Sequence, residues 1–373
     1  STKTTLLPQP QAQTLAQQIP RPADNDDDFD MVGSPILARP KYYSIAHFLS
    51  EMSAGIINAI ICVPVTFGFT AIIYSHEIFT IPRLNLVRLI LWSSIVHQIC
   101  MTIFSSMNFS IGQVQDAGLI FLSAIAVKMA NAVLLAHPEV TDLSNPPENV
   151  IIEAVSTAII AIALYTMLLG FMLQAIAHYR LAKIVTYLPL SVLSAYLAYI
   201  GLFCGMAGLS VSNSEGISLT KPIDIIYLFL NHFSTALFAV PSILLAGCLM
   251  YALRRWPHPL TLPGFLMAIP ILFHVWRIFM GLSLDDTRAM GLISQPQDSK
   301  LITAFNYISL SAVHWSAIPS AFFEWIMLVF VVAFSSSLDI IAIEIEIARP
   351  LDIDAELRCI GISNAISGGL LGY

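Results

Sequence analysis

Charge is scarce in this sequence. Only 11% of its 373 residues are Asp, Glu, Lys or Arg, against about 25% in an ordinary soluble domain. A further 57% are hydrophobic, more apolar surface than a soluble globule hides. A composition this apolar excludes DNA-binding modules, secreted disulfide scaffolds and soluble catalytic domains, so no nucleic-acid partner is expected. Cysteine is sparse as well: Cys62, Cys100, Cys204, Cys248 and Cys359 show no metal-ligand spacing and read as reduced packing residues, not a disulfide framework. HExxH, GxSxG and CxxC are absent, and the chain is not expected to be an enzyme. Neither a cofactor nor a resident metal is called for. Residues 1–40 contain no apolar core of the length a cleavable signal needs.

Long uncharged runs are present instead. Met52 to Ser75, Leu89 to Gln115, Ala154 to Tyr179, Ile184 to Ser214, Ile225 to Leu253 and Trp256 to Trp276 each exceed the roughly 20 residues that a helix needs to cross lipid. The sequence therefore predicts an all-α polytopic membrane protein with the bilayer as its solvent. Eight to nine spans are expected, near 50–74, 88–107, 113–135, 150–178, 184–210, 226–253, 260–281 and 319–345, with a ninth beginning at Cys359. The apolar stretch Leu301 to Trp315 follows a polar loop and reads as a surface or re-entrant segment; the alternative is a further span.

Ahead of the spans, residues 1–44 read as a disordered tail, rich in Gln, Pro and Thr and with five aspartates between Asp24 and Asp30. Placing that tail in the cytosol puts ten basic residues on the cytosolic side (Lys3, Arg21, Arg39, Lys41, Arg180, Lys183, Arg254, Arg255, Arg349, Arg358) and five opposite (Arg83, Arg88, Lys221, Arg288, Lys300), the asymmetry of a cytosolic N-terminus. The chain starts at Ser1 and stops at Tyr373 within an apolar, glycine-rich run, so both ends are expected to be cuts in a longer protein.

Depth decides which polar residues matter, because an ionisable group at mid-membrane is costly and usually functional. At about 1.5 Å per residue, Lys128, Arg277 and Glu324 all fall near an interface. Asp339 lies ten residues before Arg349, about 15 Å above the cytosolic surface. Ser335 and Ser336 share its helical face, and Glu346 continues that face towards the cytosol. This stripe suits a solute or proton path; polar packing within the protein is the alternative.

Between spans two and three, Ser106 to Asp116 contains no exposed hairpin signal. If span two ends near Met107, extended chain climbs back to mid-membrane and Gly112 starts a half-helix. Free N–H groups there would suit an anion, with Gln113 and Gln115 as neutral hydrogen-bonding groups. Asp116 opposes an anion and reads as a cation or proton site, or as a plain capping carboxylate. His97 lies near mid-depth and is a candidate proton-linked group, although a packing role is the commoner one. Gly201 and Gly205 form a GxxxG contact candidate, and Asn108 begins a glycosylation pattern whose expected burial argues against its use.

Glu356-Leu357, Gly361-Ile362-Ser363-Asn364 and Ser367-Gly368, with Ala54-Gly55 to Pro64, Phe69-Thr70-Ala71, Ser110-Ile111-Gly112 and Leu188 to Leu193 upstream, resemble the SulP family of sulfate-permease-like anion transporters. Gly112 to Gly118 and Ser337-Leu338-Asp339 are most similar to its fungal and protist vacuolar-type branch. The resemblance implies fourteen spans in two inverted repeats of seven, a homodimer in many members, and a substrate held between half-helices three and ten against helices one and eight. Residues 45–373 would then be an incomplete transporter domain, lacking helices ten to fourteen and any STAS domain. Helix-one lining would fall to Pro64 and Phe69. The family's helix-eight Glu aligns with Ser335 or Ser336, and Val65 follows Pro64 where many members carry a carboxylate or Gln.

The expected function is secondary transport of a sulfate-type small anion, with Gly112, Gln113, Gln115, Asp116, Ser335, Ser336 and Asp339 as substrate-binding candidates. Asp339, Asp116 and His97 are the proton-linked candidates. A cationic solute such as a basic amino acid, or a non-transporting sensor with a transporter fold, remains open.

Overall fold

Apolar runs of this length satisfy their backbone groups internally by forming helices, and in the computed structural model helices carry the fold. The described residues are 45–107, 110–140, 143, 146–182, 190–212, 230, 239–258, 260, 261–290, 292–293, 305, 307–347 and 350–373. The expected tail, Asn108, Leu188, Pro189 and most of residues 226–238 lie outside them, as does the side chain of Glu346. Among the described residues, nine long helices are α1 (Ile45–Ile73), α2 (Arg83–Phe104), α3 (Leu119–Ala136), α4 (Glu148–His178), α5 (Leu190–Ser212), α6 (Ala239–Arg255), α7 (Thr261–Phe279), α8 (Phe322–Ile347) and α9 (Ile353–Gly369). No strand occurs among the described residues. Among the described residues, six helical segments are long and apolar enough to cross a membrane, those of α1, α2, α3, α4, α7 and α8, and the chain is an integral multi-pass membrane protein.

Helix α4 is the axis of the core. Its small residues Ala154, Ala158, Ala161 and Ala163 are buried and let neighbours approach closely. Helix α9 packs along it. A Cβ on Gly368 would lie 2.5 Å from the Ala163 carbonyl oxygen and from the Met167 nitrogen, and one on Gly170 would lie 2.3 Å from the Ala365 nitrogen. The two helices therefore touch backbone to backbone. By contrast, a Cβ added at Gly201 or Gly205 would meet nothing within 4 Å among the described residues, so the GxxxG of α5 makes no close contact with them.

Helix α9 starts at Ile353, six residues before the expected Cys359. The Asp352 side chain accepts the Ala355 N–H at 3.1 Å, and Asp354 and Glu356 occupy the first turn. Acidic groups suit a helix N-terminus, and this polar turn continues the helix ahead of its apolar part. The described part of 301–315 makes no crossing helix: a 3-10 turn at Leu310–Ala312, followed by another at Ile318–Ala321, runs beside α4. Ser156 Oγ donates to the Tyr307 carbonyl at 2.9 Å and accepts Ser309 N–H at 2.9 Å. Tyr165 Oη donates to the Ile318 carbonyl at 2.6 Å.

The expected interfacial charges meet each other. Lys128 on α3 pairs with Glu324 on α8 at 2.8 Å and also donates to the Ser320 carbonyl at 2.7 Å. Arg277 caps the end of α7 through the Leu282 carbonyl at 3.0 Å. All five cysteines are free.

Candidate functional site

A cavity of about 390 Å³ opens between α2, α3, α4, α8, α9 and the extended chain before α3. That segment takes its shape from α2. Gln98 Oε1 accepts the Gly112 N–H at 2.8 Å, and Gln98 Nε2 donates to the Ser110 carbonyl at 3.2 Å. A Cβ at residue 112 would sit 2.1 Å from the Gln98 nitrogen, so glycine is required by the approach of two backbones.

The half-helix does not start at Gly112. Residues 110–115 take no regular secondary structure, Gln115 being extended, a 3-10 turn spans Asp116–Gly118, and α3 begins at Leu119. The Gly112 N–H is already taken, as is that of Ala117, which donates to its neighbour's Asp116 Oδ1 at 2.8 Å. Asp116 thus caps its own turn, and it is absent from the cavity wall.

The two polar clusters expected from the sequence come together. Gln115 Nε2 donates to Ser335 Oγ at 2.9 Å and to Asp339 Oδ2 at 3.0 Å, while Ser336 Oγ donates to Gln115 Oε1 at 3.3 Å. Gly112, Gln113, Gln115, Ser336 and Asp339 line the cavity; Ser335 stands one bond behind it. Gln113 Nε2 is buried without a hydrogen-bond partner among the described residues, leaving a donor free for a solute. Asp339 is exposed at the cavity.

His97 is buried, lines the cavity and bonds through Nδ1 to the Ser363 hydroxyl of α9. No described residue of α1 lines the cavity. Pro64 is exposed on its outer side and Phe69 packs on the hydrophobic core.

Glu356 and Asn364 also line the cavity; sequence reasoning gave them no site role, although both belong to the motif that carried the resemblance. Glu356, 2% exposed, accepts from Ser105 Oγ at 2.8 Å, Ser106 N at 2.9 Å and Ser106 Oγ at 2.5 Å. It fastens the end of α2 where the extended segment begins. No Lys or Arg is among the described residues lining the cavity.

Comparisons with known proteins agree with this architecture. The model of the sulfate permease family matches residues 48–373. The chain is 28% identical over 224 residues, 59% of its length, to the vacuolar basic amino acid transporter of Saccharomyces cerevisiae. That match spans 21% of the yeast protein, about a fifth of its length. No solved structure matches significantly. With nearly every described residue inside the matched region, the chain belongs to the sulfate permease family.

Proposed function

We propose that residues 45–373 are part of a secondary transporter that carries a small ionic solute through the membrane by alternating access, with the solute held in the cavity between residues 110–115 and α8. The observation that carries the sign of charge is the wall itself. It presents Asp339 and Glu356 and, among the described residues, no Lys or Arg. Glu356 is engaged with Ser105 and Ser106, so Asp339 is the carboxylate available to a ligand. A basic amino acid fits this set: its side-chain cation faces Asp339, and its carboxylate takes the free Gln113 Nε2. The volume lies within the range of small-molecule sites. The likeness to a vacuolar transporter of basic amino acids supports the same class.

A sulfate-type anion is the second reading, favoured by the family match and by the N-terminal end of α3 beside the cavity. The Lys and Arg asymmetry supports a cytosolic N-terminus.

Uptake into vesicles reconstituted with the protein separates these readings. Labelled arginine is expected to accumulate, lysine to compete and sulfate to remain outside. Asp339→Asn is expected to lower arginine uptake more than about tenfold, as loss of a charged partner worth 1.5–3 kcal/mol requires, while the protein still inserts and runs as a single species. Sulfate uptake without arginine uptake would overturn the cation reading; uptake of neither would favour a sensor with a transporter fold.

A further inference from the structure

Away from the cavity, three elements remote in sequence converge on one point. His137 follows the last residue of α3, Glu153 lies in the second turn of α4, and His314 sits between the two 3-10 turns that precede α8. Glu153 Oε2 is 2.8 Å from His137 Nε2 and 2.9 Å from His314 Nε2. The three ligand atoms all lie within 4.8 Å of one another.

A shared carboxylate oxygen between two imidazoles can be a hydrogen-bonded latch and nothing more. Three further observations favour an ion. Behind His137, Nδ1 is 3.0 Å from Glu139 Oε1, the outer carboxylate that orients a metal-bound imidazole and raises its basicity. His314 is presented by fixed backbone: its N–H donates to Thr157 Oγ1 at 3.1 Å, one residue from Ser156, which holds the same segment at Tyr307 and Ser309. An open depression of about 440 Å³, lined by Glu153, Ser311, His314 and Ser316 among others, gives access to solvent.

We infer that His137, Glu153 and His314 form a binding site for a divalent transition metal of the zinc class, tying the end of α3 to α4 and to the segment before α8. Two imidazole nitrogens and one carboxylate oxygen with an open fourth position are a known zinc ligand set; calcium and magnesium take mostly oxygen. At metal–ligand distances of about 2.0–2.1 Å the ligand atoms stand roughly 3.3 Å apart, so the two Glu153–His separations open by a few tenths of an ångström while the His137–His314 separation, within 4.8 Å, settles to the same value. Helix α3 begins at Leu119, lines the cavity through Leu122 and ends at Ala136, next to His137. An ion there restrains the far end of a helix that borders the cavity.

Purified full-length protein, stripped with a chelator and titrated with Zn²⁺ or Co²⁺ alone, tests the site. One equivalent is expected to bind per chain and to raise the thermal midpoint. His137→Ala and His314→Ala should each weaken that binding more than about tenfold, and Glu139→Gln by about 10–100-fold through the outer carboxylate. His314→Cys guards against a variant that merely misfolds: it should retain Co²⁺ and gain a thiolate-to-cobalt absorption band that the unsubstituted protein lacks. No metal uptake by the unsubstituted protein, an unchanged stoichiometry and affinity in His137→Ala and His314→Ala, or a cobalt complex of His314→Cys without the thiolate band would each overturn the site. These readouts are independent of whether the chain transports arginine, sulfate or nothing.

Discussion

Glu356 shows how one buried side chain can shape a site without being spent on the solute. Its carboxylate accepts three hydrogen bonds from Ser105 and Ser106, and those residues begin the extended chain that carries Gly112, Gln113 and Gln115 to the cavity. Removing an acceptor from buried donors costs about 1–3 kcal/mol for each donor left unmatched. Glu356→Ala is therefore expected to lower the thermal midpoint in detergent and to raise the KM for solute, because residues 110–115 lose their anchor at one end. Glu356→Gln keeps one acceptor and should fall between. An unchanged midpoint and KM in the alanine variant would show that Gln98, which holds Ser110 and Gly112 from the other side, suffices alone. Sequence reasoning found Asp339, Ser336 and Gln115, because each stands out against an apolar run. It gave Glu356 no site role because that carboxylate sits among other charges, Asp352, Asp354 and Arg358, where burial cannot be read from neighbours.

At the scale of elements, α4 and α9 decide how tightly the core closes. The motif from Glu356 to Gly368 divides by face: Gly361 and Gly368 meet the backbone of α4, Ser363 and Ser367 bond His97 and Ser93 of α2, and Glu356 and Asn364 look into the cavity. Adjacent glycines give an internal control. A Cβ on Gly368 meets Ala163 and Met167 at 2.5 Å, whereas one on Gly369 meets nothing within 4 Å. Overpacking of this kind typically costs about 1–3 kcal/mol. Gly368→Val should therefore depress the thermal midpoint and the yield of monodisperse protein, while Gly369→Val should leave both near the unsubstituted values. Equal behaviour of the two variants would mean that α9 does not rest on α4 as described. Helix positions were legible because uncharged length maps directly onto span length: α4 at Glu148–His178 and α8 at Phe322–Ile347 overlap the expected spans closely. Two things were not legible. The start of α3 depends on where Gln98 and Asp116 direct their hydrogen bonds, and the meeting of His137, Glu153 and His314 depends on tertiary convergence across 177 positions, which no local spacing encodes.

Across the whole molecule the helices sort into two sets. Among the described residues, helices α2, α3, α4, α8 and α9 enclose the cavity, whereas α6 packs on α5 and α7, and α1 bridges the two groups, packing on α2 and α3 as well as on α5 and α7. Burial follows the same division: within their most apolar windows, 56% of α4 is buried but only 6% of α7. The cavity set is also cross-linked internally, by Lys128 to Glu324 between α3 and α8 and by Ser93 to Ser367 between α2 and α9. On the proposed transport function, alternating access in secondary transporters is largely the rocking of one body against another, and these links make the cavity set the candidate for one such body. Motion should therefore appear between the sets and be small within the cavity set. Spin labels on the exposed positions Leu272 of α7 and Phe330 of α8, with the native cysteines replaced, are expected to report a distance that shifts by several ångströms when arginine is added. A second pair on Phe171 of α4 and Phe330 should hold its distance. If the second pair moves as much as the first, the cavity set is not a rigid body, and access to Asp339 must open through rearrangement of the cavity wall itself.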